Sequence, residues 1–246
     1  MSGSETILLT GGEGRLGTEL RALAPEIVAP LEAAMDITDP AAVAATFAEV
    51  GPSLVVHAAA YTDVAGAETD GAACWRINVD GTRNIVREAL ARDLAMVHIS
   101  TDYVFWGDTG GYKEDDPVGP VRNYYSLTKL VAEALVRVLD RHLVIRTSFR
   151  PREWPYPVAF TDVFTSQDYV DVIAPEIALA IRRWREVPFK TLHIATERKS
   201  VYDLARRRRG DVEPGSKRGA AVEFPDDISL DTSRWQQLKT QWDAPT

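Results

Sequence analysis

The stretch "TILLTGGEGRLG" (residues 6–17) decides the fold. Five residues rich in β-branched and apolar side chains run straight into glycines. A helical pattern then opens at Arg15 and continues to residue 23. A short strand, a glycine turn and a helix in that order form the first unit of a parallel sheet covered by helices. The spacing Gly11-x-x-Gly14-x-x-Gly17 allows a tight turn, a close approach of backbone to a pyrophosphate, and tight helix–strand packing. The helix start, with Arg15 and Leu16 in its first turn, offers free N–H groups and the positive end of a dipole to phosphates.

The pattern repeats outward. Residues 26–30 read as a weaker second strand. Asp39 and Pro40 read as the cap and first turn of a helix to residue 50. Residues 53–59 read as a third strand, 72–91 as one long helix, and 95–101 as a fourth strand. A helix follows at 123–139 and a fifth strand at 142–148. Further on come a helix at 174–185, a strand at 191–195 and a helix at 201–209. Strands alternating with helices, and apolar on both faces, imply an α/β fold: a Rossmann-like, doubly wound parallel sheet. Ligands of such sheets bind beyond the carboxyl ends of the strands. Polar candidates collect there: residues 11–17, Thr101 and Thr147.

The chain has 246 residues, 45% of them hydrophobic, and a formal net charge of -8. That balance speaks against a nucleic-acid groove or an anionic membrane as partner. The arginine run "RRRRG" (residues 206–210) reads as a last helical turn capped by glycine. No stretch approaches the roughly 20 apolar residues of a membrane span, and residues 1–12 carry no signal-peptide pattern. The single cysteine, Cys74, forms no internal disulfide, so a cytoplasmic location is expected. His57, His98, His142 and His193 are scattered without metal-ligand spacing, so no metal site is expected.

The helix "NYYSLTKLVAEAL" (residues 123–135) places Tyr125 and Lys129 one turn apart on one face, while Tyr124 has Thr128 at that spacing. A tyrosine ring packed on a lysine stem is one explanation. A phenol made more acidic by a neighbouring ammonium, and used to give a proton to a carbonyl, is the other. Glu32, 18 residues beyond Gly14, suits a ribose hydroxyl and would repel a 2′-phosphate. Arg15 would attract one, so NAD(H) and NADP(H) both stay open, with a lean to NAD(H). Asp36 either accepts from an adenine amino group or serves the loop, with Ile37 beside it.

These segments together resemble an extended short-chain dehydrogenase/reductase, and within that group the dTDP-4-dehydrorhamnose reductase family. The resemblance rests on "TGGEGRLG", "MDITDP", "VVHAAAYTDVAGAE", "INVDGTRNI", "HISTDYVFWG", "YKEDDPVGPVRNYYSLTK", "VIRTS" and "ISLDTSRW", in family order. It implies a catalytic set of Thr101, Tyr125 and Lys129, with Asn78 as helper, Ser100 sharing the cofactor site, and Ala58, Ala59, Ala60 and Tyr61 lining the cofactor cleft. It implies an NAD(P)H-dependent reductase of a 4-keto sugar nucleotide, with a homodimer as a candidate assembly. A sugar-nucleotide epimerase and a non-catalytic, cofactor-binding regulatory subunit are the alternatives. Thr101 is followed by Asp102 and Tyr103, not by the Asp-Glu pair of the superfamily's dehydratases. Residues 1–148 are expected to form the dinucleotide-binding domain, with 169–195 returning to it. Residues 149–168 and 196–246 are expected to form a small C-terminal substrate-side lobe. After Ser148 the chain is proline-rich and departs from the family pattern, and Phe149, Arg150, Trp154 and Tyr156 are its candidate ligand contacts.

Overall fold

The structure, a computed structural model, describes residues 5–220 and 223–244. The amino-terminal residues 1–4, read above for a signal peptide, lie outside the described residues, as do 221–222 and 245–246 at the far end.

Four strands and an edge strand build one parallel sheet: β1 (Ile7–Thr10), β2 (Leu54–His57), β3 (Ala95–Thr101), β4 (His142–Thr147) and the edge strand Thr191–His193, in that spatial order. Their side chains sort by face, because successive residues of a strand point to opposite sides. Leu8, Val55, Met96 and Val144 face one core, with Val43 and Phe47 of helix Pro40–Val50 and with Ile85, Val86 and Ala89 of helix Thr82–Ala91. Leu9, Val56, Val97 and Ile145 face the other, with Leu16 and Leu20 of helix Arg15–Leu23 and with Ile173, Ile177 and Ile181 of helix Val170–Arg182. Both faces are dry, which explains the near-continuous apolar strands.

Residues 26–30 form no strand. Val28 makes a single parallel bridge to Leu8 and exchanges backbone hydrogen bonds with Ile7 and Leu9. Prolines at 25 and 30 flank it and limit the pairing. The expected long helix over 72–91 is interrupted: Gly71–Trp75 passes into a π-helical turn, Arg76–Gly81, before Thr82–Ala91 resumes. The helix expected from 174 begins at Val170 and carries Pro175 inside it.

Beyond β4 the chain forms short paired strands. Phe149–Arg150 runs parallel to Asp168–Tyr169, and Val158–Phe160 parallel to Glu213–Gly215. Trp154, Ala159, Val163, Val201, Ala205 and Val212 make a separate small core there. Helix Ser233–Asp243, unanticipated in the sequence, returns to the sheet. Its Trp235 is fully buried in the core that holds Ile177. The four arginines 206–209 are engaged: Arg206 over Tyr202, Arg207 with Asp168 and Glu197, Arg208 with Asp171, Arg209 with Asp211. Among the described residues no helix is long and apolar enough to cross a membrane.

Candidate active site

A crevice of about 890 Å³ opens at the carboxyl ends of the strands. At one end lies the glycine turn. Gly11 has φ +75°, and a side chain there would put its Cβ 2.6 Å from the Ala59 backbone nitrogen. Only glycine permits that approach of β1 to β2. Gly14 caps the helix with no side-chain hydrogen bond, so the first N–H groups of helix Arg15–Leu23 stay free. That is a fit for phosphate, as the spacing implies.

Of the sequence-predicted residues, Gly11, Gly14, Arg15, Leu16, Gly17, Glu32, Asp36, Ile37, Ala58, Ala59, Ala60, Tyr61, Ser100, Thr101, Tyr125 and Lys129 all line this crevice. Asn78 does not. It lies behind the wall, buried, where its side chain accepts from the Tyr61 N–H (2.8 Å) and donates to the Tyr61 carbonyl (3.2 Å). It therefore holds the Ala58–Tyr61 wall from behind. The π turn is the local distortion that aims it.

Asn78 is one link of a buried chain of hydrogen bonds. The Ala59 N–H donates to the Thr10 hydroxyl, which donates to Nδ1 of His57 (2.7 Å). Nε2 of His57 donates to Thr82 (2.9 Å), and Thr82 donates to the Asn78 carbonyl (2.6 Å). The Asn78 amide donates to Thr128 (2.9 Å), which donates to the Tyr125 carbonyl (2.7 Å). These bonds assign the His57 tautomer. The ring stays neutral, since burial, then the Lys129 charge, lowers its pKa to about 3. The glycine turn and the helix Tyr124–Val136 are thus tied through the core.

Asn123 caps that helix by accepting from the Ser126 N–H (2.8 Å). Tyr125 and Lys129 reach the crevice from its first turns, both largely buried. Lys129 donates to the Ile99 carbonyl (2.8 Å), and burial lowers its pKa to about 8. The expected acidification of Tyr125 by Lys129 is not met. Burial, then the Asp102 carboxyl, pushes the phenol up, with the Thr101 hydroxyl offsetting part of this. The Lys129 ammonium turns one N–H to a backbone carbonyl beneath the crevice, and desolvation is the largest influence on the phenol.

Thr101 accepts from the Tyr103 N–H (3.2 Å) and donates to Asp102 (3.0 Å). Burial raises the Asp102 carboxyl to about 7, and its Oδ2 has no partner. Beneath, Glu133 is bound by Arg146 through Nε (3.0 Å) and Nη2 (2.9 Å), and accepts from Ser100 (2.6 Å). That bond turns the Ser100 hydroxyl inward. Sequence reasoning passed over Glu13, whose carboxylate accepts from the Glu32 N–H (2.7 Å), and gave Asp102 no role. Adjacency to Thr101 at a strand end was the available signal for Asp102.

The fold and this crevice define a Rossmann-like α/β protein of the extended short-chain dehydrogenase/reductase type. More narrowly, the chain belongs to the RmlD substrate binding domain family, which it matches over residues 5–153. It is 40% identical over 149 residues to a dTDP-4-dehydrorhamnose reductase of Streptomyces griseus, covering 58% of this chain and 49% of that protein. In sequence, the chain spans about half the length of the curated relatives it matches. Its backbone matches the dTDP-4-dehydrorhamnose reductase of Bacillus anthracis str. Ames in complex with NADP, with TM-score 0.84 and 25% identity, over 97% of this chain and 93% of that one. A hypothetical dTDP-4-dehydrorhamnose reductase from Sulfolobus tokodaii matches with TM-score 0.81 and 32% identity, over 95% and 94%.

Proposed function

We propose that the protein is a nicotinamide-dependent reductase of a 4-keto sugar nucleotide of the dTDP-4-dehydrorhamnose type. One observation carries this reading: Thr101, Tyr125 and Lys129 share the wall of a single crevice with the glycine turn. The reduced nicotinamide, when bound, supplies the hydride. Tyr125 supplies the proton. Its phenol, held protonated by burial, is in the form a donor needs. Lys129 spends one N–H on Ile99 and keeps donors for ribose hydroxyls. Thr101 faces the same oxygen as Tyr125, and when Asp102 is itself protonated the Thr101 hydroxyl is free to donate a hydrogen bond to that oxygen without giving up its proton.

NADH is the preferred form. Glu13, Glu32 and Asp36 border the adenosine end of the crevice against the single cation Arg15. Three carboxylates disfavour a 2′-phosphate more than one guanidinium attracts it.

The test is loss of near-ultraviolet absorbance on mixing the protein with NADH and dTDP-4-dehydrorhamnose. Tyr125→Phe should lower kcat by about 100- to 10,000-fold with cofactor affinity retained. Tight NADH binding with no turnover on any keto sugar nucleotide would overturn the reading.

A further inference from the structure

Arg150 follows β4 by three residues and stands where the chain leaves the family pattern. Its guanidinium lies over the Trp154 ring, 4.7 Å from the centroid, and its Nε is buried with no hydrogen-bond partner. It makes no ion pair with any described carboxylate, although the side chain lines the crevice. Burial is the largest influence on it and pulls its pKa below the ordinary value; Tyr103, Tyr156, Tyr169 and Asp102 pull the other way. Those neighbours mark the reacting end: the Tyr103 ring is 6.4 Å from that of Tyr125.

Arg150 is half-buried, and a cation partly withdrawn from water with no anion beside it carries a cost that one aromatic face offsets only in part. Other arginines of the lobe show the usual remedy: Arg207 sits on Asp168, Arg208 on Asp171. Arg150 lacks it, and its charge faces a cavity.

We propose that Arg150 is the anion-binding residue of the crevice's reacting end, which receives a charged oxygen group of the sugar nucleotide. The group is either the nucleotide's own diphosphate or a carboxylate on the sugar. This rests on the sugar-nucleotide part of the function proposed above and names the contact that selects the substrate.

The experiment compares the full chain with Arg150→Met, which keeps stem and volume, and with Arg150→Lys, which keeps charge. Calorimetry with dTDP should show affinity about 10- to 100-fold weaker in the Met variant and partly recovered in the Lys variant. NADH affinity should be unchanged, and the thermal midpoint of the Met variant not lowered. If dTDP binds all three equally, the carboxylate source is read from UDP-glucuronate against UDP-glucose, whose discrimination the Met variant should lose. Equal binding of every sugar nucleotide by wild type and Met variant would overturn the proposal. So would a loss confined to NADH, or a fall in thermal midpoint with ligand affinities intact. A chain that loses dTDP with Arg150 yet reduces no keto sugar would sink the reductase reading and leave this contact standing.

Discussion

The Thr101 hydroxyl donates to the Asp102 carboxyl over 3.0 Å, and Asp102 is buried with one oxygen unpartnered. A strand end that carries an acid in this setting holds its proton more tightly than an exposed carboxyl does. The carboxyl rises from 3.8 to about 7 by burial, the opposite of a salt-bridged aspartate. A raised carboxyl favours the folded state fully below its unfolded pKa, and that contribution is lost as pH rises through about 7. The difference between the two protonation states corresponds to about 4 kcal/mol as an upper bound. Asp102→Asn keeps an acceptor for Thr101 and removes the charge. Its thermal midpoint should exceed that of wild type at pH 8 and converge with it near pH 4. Parallel midpoints across that range would contradict the shift.

Cofactor choice should move with one side chain. Glu32 stands at the adenosine end beside Glu13 and Asp36. Replacing it by arginine turns repulsion of a 2′-phosphate into attraction. The ratio of kcat/KM with NADPH to that with NADH should rise about tenfold or more in Glu32→Arg. No change in that ratio would show that the phosphate lies elsewhere.

The link from His57 to the catalytic helix is testable at Thr82. Thr82→Val keeps shape and leaves Nε2–H of His57 and the Asn78 carbonyl without their partner. Stability should fall by about 1–3 kcal/mol in urea. Because the chain of bonds ends on the Tyr125 carbonyl, kcat should fall as well, with little change in KM. An unchanged kcat would make the chain purely structural.

Gly17 has no room for a side chain: a Cβ would lie 2.1 Å from the Gly11 carbonyl oxygen and 2.7 Å from the Gly12 Cα. These are backbone atoms and cannot swing aside. Gly17→Ala should cost about 1–3 kcal/mol by displacing the turn from the helix. NADH affinity should weaken in parallel, read by quenching of protein fluorescence. Full affinity at a lowered thermal midpoint would separate packing from phosphate binding.

Most of the sheet was legible in the sequence because its signal is local. β1, β2, β3 and β4 are short apolar runs buried on both faces, and the glycine spacing sits between strand and helix by chain order alone. Asn123, Pro40 and the i, i+4 spacing of Tyr125 and Lys129 are likewise local facts. The second strand was misread for the same reason: a β-rich run resembles a strand whether or not a neighbour pairs with all of it.

What tertiary structure alone decided is where charge and hydrogen bonds go. The sequence places Lys129 near Tyr125, but only the fold supplies the Ile99 carbonyl that claims the ammonium and the burial that raises the phenol. It names Asn78, but only the π turn directs it to Tyr61 and Thr128. It shows Arg150 as one arginine among many, and only packing shows it half-buried, with its Nε enclosed and no anion beside it. Periodicity and turn chemistry are written along the chain, whereas desolvation and pairing depend on residues brought together from distant positions.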